Sequence, residues 1–168
     1  MKTVRKTKVY QASQEEVFDT LDDLGISGMH MTKSSMPMMG GELNLSFLTE
    51  FTKGPNTRYR WTGKVLWWKM DFTVQVMNWI KGREKTWETV GPARLIIFSW
   101  FRMELKVNPV PEGTLVELSI SYKKPKGFLN LLLFYLLGGW YCRWCIDNML
   151  GDTKRKLSES RSIIPAST

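Results

Sequence analysis

The sequence predicts one α+β domain in which a curved antiparallel sheet wraps around a long C-terminal helix and encloses an apolar cavity. Three observations carry this prediction. Between residues 43 and 122, apolar side chains recur with a period of two in successive runs separated by Gly, Pro and Asn. That is the signature of strands buried on one face. From Phe128 onward the apolar period becomes helical, so one long helix is available to cover that face. The 168 residues also include eight Trp, eight Phe and five Tyr. That is more ring surface than a filled core of this size needs, so some of it is expected to face a ligand or a partner.

The elements follow in order. Val4 to Tyr10 alternates weakly and reads as a first strand. Ser13 with Glu16 three residues later forms a capping box, and Val17, Phe18, Leu21 and Leu24 give the following helix its apolar face. Gly25 and Gly28 break it, so two short helices are expected after the first strand. A Met-rich loop runs from Met29 through His30 and Met31 to Met36, Met38, Met39, Gly40 and Gly41. Six further runs of alternation follow, through Leu43–Phe51, Tyr59–Trp67, Phe72–Val76, Glu84–Val90, Leu95–Val107 and Val116–Tyr122. The expected sheet therefore has six to seven strands in a meander.

Pro125 and Gly127 open the last helix, expected over about 127–157, roughly 45 Å long at 1.5 Å per residue. One stripe holds Phe128, Leu132, Tyr135, Cys142, Cys145, Ile146 and Met149; a second holds Leu129, Leu133, Leu136, Trp140 and Trp144. One sheet covers only one stripe, so the second needs another partner. Gly138–Gly139 is expected to weaken or kink the helix.

This order of elements resembles the helix-grip or START-like superfamily, nearest its polyketide cyclase/dehydrase and lipid-transport (SRPBCC) branch. Two stretches carry the likeness: QASQEEVFDTLDDL at Gln11–Leu24 and PEGTLVELSISYKKPKG at Pro111–Gly127. The resemblance spans nearly the whole chain and implies a single domain over 1–168. It implies a cavity between sheet and helix that holds a hydrophobic or amphipathic molecule. It does not imply one reaction, because the fold hosts carriers and enzymes alike. The expected ligand-binding residues are Tyr59, Trp61, Trp67, Phe72, Phe101 and Met103 from the sheet, Leu132 and Tyr135 from the helix, and Met38 from the loop. Binding or transport of a lipid or polyketide-like molecule is the leading function. A cyclase/dehydratase- or hydrolase-type enzyme in the same cavity is the first alternative, with His30, Tyr59 and Glu88 as its acid/base candidates. A protein- or membrane-interaction module is the second. Its contact would be a homodimer or a peripheral membrane site through Leu129, Leu133, Leu136, Trp140 and Trp144.

Charge narrows the partners only in part. The formal net charge is +8, scattered along the strands with clusters at Lys2–Lys8, Lys123–Lys126 and Lys154–Lys156. No basic helix or nucleic-acid motif stands out, so a solvated basic surface is favoured over nucleic-acid binding. Trp68 beside Lys69, and Trp100 near Arg102, are the rings that suit stacking on single strands. Lys123, Lys124 and Lys126 precede Phe128 and Leu129, a juxtaposition that suits a membrane surface. No apolar region follows the basic N-terminus; the longest apolar run, Leu131 to Leu137, is short for a bilayer, and extended to Leu150 it reaches spanning length but then contains Arg143 and Asp147. A cytoplasmic protein is expected, peripheral to a membrane in the second alternative.

Metal and thiol chemistry find little support. The Met-rich loop offers soft Cu(I) ligands, but His30 is the only histidine. Cys142-Arg143-Trp144-Cys145 has redox or half-zinc spacing, yet it lacks a βαβ context and two further ligands. At helical spacing the two thiols pack as small apolar groups; were the helix to restart at Gly139, Cys142 would become the reactive one. No metal and no cofactor is expected.

Overall fold

The computed structural model describes residues 1–28, 31, 42–65 and 68–162. The predicted Met-rich loop lies almost wholly outside these residues. The elements are β1 (Lys2–Tyr10), α1 (Gln14–Asp22), α2 (Leu24–Ser27), β2 (Glu42–Phe47), β3 (Arg58–Val65), β4 (Trp68–Ile80), β5 (Glu84–Arg94), β6 (Trp100–Val110), β7 (Gly113–Lys123) and α3 (Phe128–Ser162).

The seven strands form one antiparallel sheet in the order β1-β7-β6-β5-β4-β3-β2. The last six make the expected meander, and β1 closes the far edge by pairing with β7 from Lys2↔Tyr122 to Tyr10↔Thr114. The alternation sets the inner face: Tyr59 and Trp61 on β3, Phe72 and Val74 on β4, Met103 and Leu105 on β6, Leu118 and Ile120 on β7 are all buried. Two register irregularities in β4, at Asp71/Thr73 and Val76/Asn78, bend the longest strand and curve the sheet. Gly113 is required at the β6–β7 turn. Its φ is +134°, and a Cβ there would strike the Tyr10 carbonyl of the neighbouring strand.

The capping box forms as predicted: Ser13 accepts from the Glu16 backbone N–H, and the Glu16 carboxylate accepts from the Ser13 backbone N–H. It starts α1 so that Val17, Phe18, Leu21 and Asp22 are buried.

The long helix departs from expectation in three ways. It runs to Ser162, beyond the predicted end near Leu157. It passes through Gly138–Gly139 as one continuous helix. Gly138 faces Tyr122 and Phe98, and a Cβ there would meet their rings at 3.4 and 3.5 Å, ordinary contact distances. Finally, the two halves of α3 differ more than its two stripes do. In the C-terminal half, Cys142, Cys145, Ile146, Met149, Leu150 and Thr153 are buried, and α3 packs on α1, α2, β1 and β7. In the N-terminal half, Phe128 is 85% exposed and Leu136 67%, with Leu129, Leu132, Tyr135 and Trp140 also exposed. By length and composition α3 could cross a membrane.

β1 holds the helix through an unusual inner face of Val4, Lys6, Lys8 and Tyr10. Lys6 Nζ donates to both Asp147 carboxylate oxygens, at 2.5 and 2.6 Å. Lys8 Nζ and the Tyr10 hydroxyl both donate to the Leu150 carbonyl, at 3.3 and 2.7 Å. Lys2 lies over the Phe134 and Tyr135 rings.

Candidate functional site

The curvature of the sheet leaves a cavity of about 560 Å³ between its inner face, α2, the 95–98 segment and α3. This volume falls within the usual range for small-molecule sites. β3 contributes Tyr59 and Trp61, β4 Met70 and Phe72, β5 Lys85 and Trp87, and β6 Phe101 and Met103. Leu133, Leu137, Trp140 and Tyr141 come from α3, and Leu95 to Phe98 from the segment between β5 and β6. Leu137 and Trp140 are the most exposed lining side chains, so the cavity reaches the surface beside the N-terminal half of α3.

One end of the cavity is polar. Lys85 lies on the inner face of β5, in phase with Trp87 and Thr89. Its Nζ is 2.6 Å from Asp22 Oδ1, with both side chains buried. Trp79 Nε1 donates to the other Asp22 oxygen at 3.1 Å, and the Lys85 ammonium sits 5.1 Å from the Trp87 ring centroid. Burial pulls the Lys85 ammonium below the ordinary lysine value, and the Asp22 carboxylate opposes that pull. Tyr59 is 2% exposed and lines the same cavity. Burial, and secondarily the Asp22 charge, push its phenol far above the ordinary value. It is therefore a neutral hydrogen-bonding group at any physiological pH.

Most of the predicted sheet residues meet here: Tyr59, Trp61, Phe72, Phe101 and Met103 all line the cavity. Trp67, Met38 and His30 lie outside the described residues. Leu132 and Tyr135 are exposed and do not line it. They sit on the N-terminal half of α3, where the helix turns a different stripe inward; Leu133, assigned to the outer stripe, lines the cavity instead. Trp140 from that stripe does so too while half exposed, and Trp144 packs against the Tyr141 ring. Glu88 turns to the outer face, where the Arg102 guanidinium binds it through Nε at 2.6 Å. Trp68 lines the cavity, and Trp100 lies under Lys123 and Arg102, so neither is a free stacking ring.

The two thiols are buried and unbridged. α3 continues through Gly139, so Cys142 does not stand at a helix N-terminus, and burial raises both thiols, Cys145 to about 12. Among the described residues, no group of three His, Cys, Asp or Glu side chains is placed to hold a metal.

Sequence reasoning missed Lys85, Asp22 and Trp87. The signal was present. Lys85 shares the phase of Trp87 in the alternation, and Asp22 lies four residues after Phe18 on the apolar face of α1.

No family model matches the chain, and no curated protein matches it. Solved structures do. A protein of Thermus thermophilus, TTHA0849, superposes with a TM-score of 0.69 at 17% identity, over 95% of this chain and 99% of that one. Norcoclaurine synthase from Thalictrum flavum superposes with a TM-score of 0.64 at 12% identity, over 94% and 87%. Ara h 8.0201 does so with a TM-score of 0.58 at 9% identity, over 90% and 97%. The chain has the helix-grip fold: a curved seven-stranded antiparallel sheet, two short helices after the first strand and a long C-terminal helix.

Proposed function

We propose that this protein binds or carries a hydrophobic small molecule, lipid or polyketide-like, in the cavity between sheet and α3. The observation that carries the reading is the cavity itself: about 560 Å³ of space walled mainly by aromatic and aliphatic side chains, in a chain whose surrounding core is otherwise buried. Empty apolar space costs packing energy, so an apolar occupant stabilises the fold. Tyr59, Trp61, Phe72, Phe101 and Met103 would contact it, joined by Trp87 and Met70. The order of elements favours the polyketide cyclase/dehydrase and lipid-transport branch. Native mass spectrometry before and after organic extraction tests the reading. A bound apolar molecule, or rebinding of a fluorescent lipid by the stripped protein, is expected; neither appearing would remove it. The enzyme alternative loses Glu88 to the outer face.

A second reading concerns where the ligand is exchanged. The exposed Phe128, Leu129, Leu132, Tyr135 and Leu136 adjoin exposed Lys123, Lys124 and Lys126, beside the cavity's opening. This combination suits an anionic membrane surface. Co-sedimentation with anionic but not neutral liposomes, weakened by salt, is expected.

A further inference from the structure

We propose that Tyr59 and the Asp22–Lys85 pair form a polar subsite in the cavity wall that selects a ligand with a neutral carbonyl oxygen on an apolar body. The inference rests on the binding reading above and adds the chemistry of the ligand's polar group. Its basis is the set of hydrogen-bonding groups at the polar end of the cavity. Both Asp22 carboxylate oxygens are occupied, Oδ1 by Lys85 at 2.6 Å and Oδ2 by Trp79 at 3.1 Å. The donors are not all used. An ammonium carries three N–H groups. Lys85 directs one to Asp22 Oδ1 and, at 3.5 Å, a long one to the Asp22 carbonyl, so at least one has no acceptor among the described residues. The Tyr59 hydroxyl is buried and has no hydrogen-bond partner among the described residues. A buried hydroxyl without a partner is rare and costly. Both groups line the cavity, so the wall offers two donors, and a ligand carbonyl oxygen can accept from both without needing a donor of its own.

The same arrangement disfavours a carboxylate. Asp22 and Lys85 cancel each other's charge at 2.6 Å. An anionic head group would therefore find no net countercharge in the pair and would undergo full desolvation among apolar walls. A ketone-like oxygen takes the donors without bringing a charge.

The test compares dodecane, dodecan-2-one and dodecanoate, the last at pH 8, by displacement of a fluorescent probe from the extracted full-length protein. The ketone is expected to bind about tenfold tighter than the alkane and tighter than the acid. In Tyr59→Phe the ketone-to-alkane ratio should fall about fivefold. The carbonyl ¹³C resonance of labelled dodecan-2-one, shifted downfield in the wild-type complex, should move back in that variant. Lys85→Met/Asp22→Leu, which removes the pair without stranding either charge, should also lose the ketone preference. If that double variant does not fold, Tyr59→Phe alone decides. Equal ketone and alkane binding, or a ratio and resonance indifferent to Tyr59→Phe, overturns the subsite and leaves the cavity reading intact. Dodecanoate binding tighter than the ketone overturns the neutral preference. Binding of no probe overturns the cavity reading itself, and the subsite with it.

Discussion

Lys85 of β5 and Asp22 at the end of α1 form an ion pair at 2.6 Å with both side chains buried, inside a wall that is otherwise apolar. The pair fastens α1 to the middle of the sheet and sets the polar end of the cavity. Removing one partner would leave the other charge buried and uncompensated. Asp22→Leu and Lys85→Met should each destabilise the protein by about 3–5 kcal/mol, while the double variant should come within about 1–2 kcal/mol of wild type. Urea unfolding of the four proteins measures this cycle. Additive single losses would show that the two groups act independently.

Stability should fall as pH rises past 9. The folded thiols of Cys142 and Cys145 stay protonated well above their unfolded value of 9.0. Above 9.0 the unfolded chain therefore releases protons that the folded chain keeps, and unfolding gains. At pH 10 each thiol should withdraw on the order of 1 kcal/mol. Their contribution is fully present below 9.0. Buried Tyr10 and Tyr59 add the same sign above 10, and Lys85, lowered by burial, opposes it. Denaturation midpoints of wild type and Cys142→Ala/Cys145→Ala, compared between pH 8 and 10, isolate the thiol part as a shallower decline in the variant.

The Gly138–Gly139 pair yields a prediction opposite in sign to that of a hinge. A methyl group at Gly138 would meet Tyr122, Phe98 and Ile97 at 3.4–3.6 Å, ordinary contact distances. Gly138→Ala should stabilise the protein by up to about 1 kcal/mol, through helix propensity alone. Thermal melting measures it. A lowered melting temperature would mean that the glycine's closeness, not its flexibility, is what the fold uses.

Filling the cavity separates ligand binding from folding. Met103 lines the cavity from β6, and Met103→Trp places a ring in open space rather than in packed core. Affinity for a fluorescent lipid should fall at least about tenfold, with a melting temperature no more than a few degrees below that of wild type. Undiminished binding would locate the probe elsewhere, with the exposed face of α3 as the first place to look.

The legibility of this chain in its sequence follows a physical line. Strand alternation and the Ser13/Glu16 capping box are local, and local rules set the sheet, the helix order and five of the sheet-borne cavity residues. Helix facing was not local. Leu132 and Leu133 are neighbours of equal hydropathy, and only the packing of α3 on the sheet decides that Leu133 turns inward. The Asp22–Lys85 pair was hidden for a different reason. A charged residue on an apolar phase looks like an error until its partner, sixty-three positions away, is known.

The clamp between β1 and α3 has a consequence for the order in which the molecule is made. Tyr10 binds the Leu150 carbonyl and Lys6 binds Asp147, across separations of 140 and 141 residues, and among the described residues β1 has β7 as its one sheet neighbour. During synthesis the first strand emerges long before either of its partners exists. It must wait, unpaired, while the β2–β6 meander assembles without it. The cavity therefore gains its last wall, α3, only after every strand of the sheet has been made, and a hydrophobic ligand present at that moment is enclosed as the helix docks.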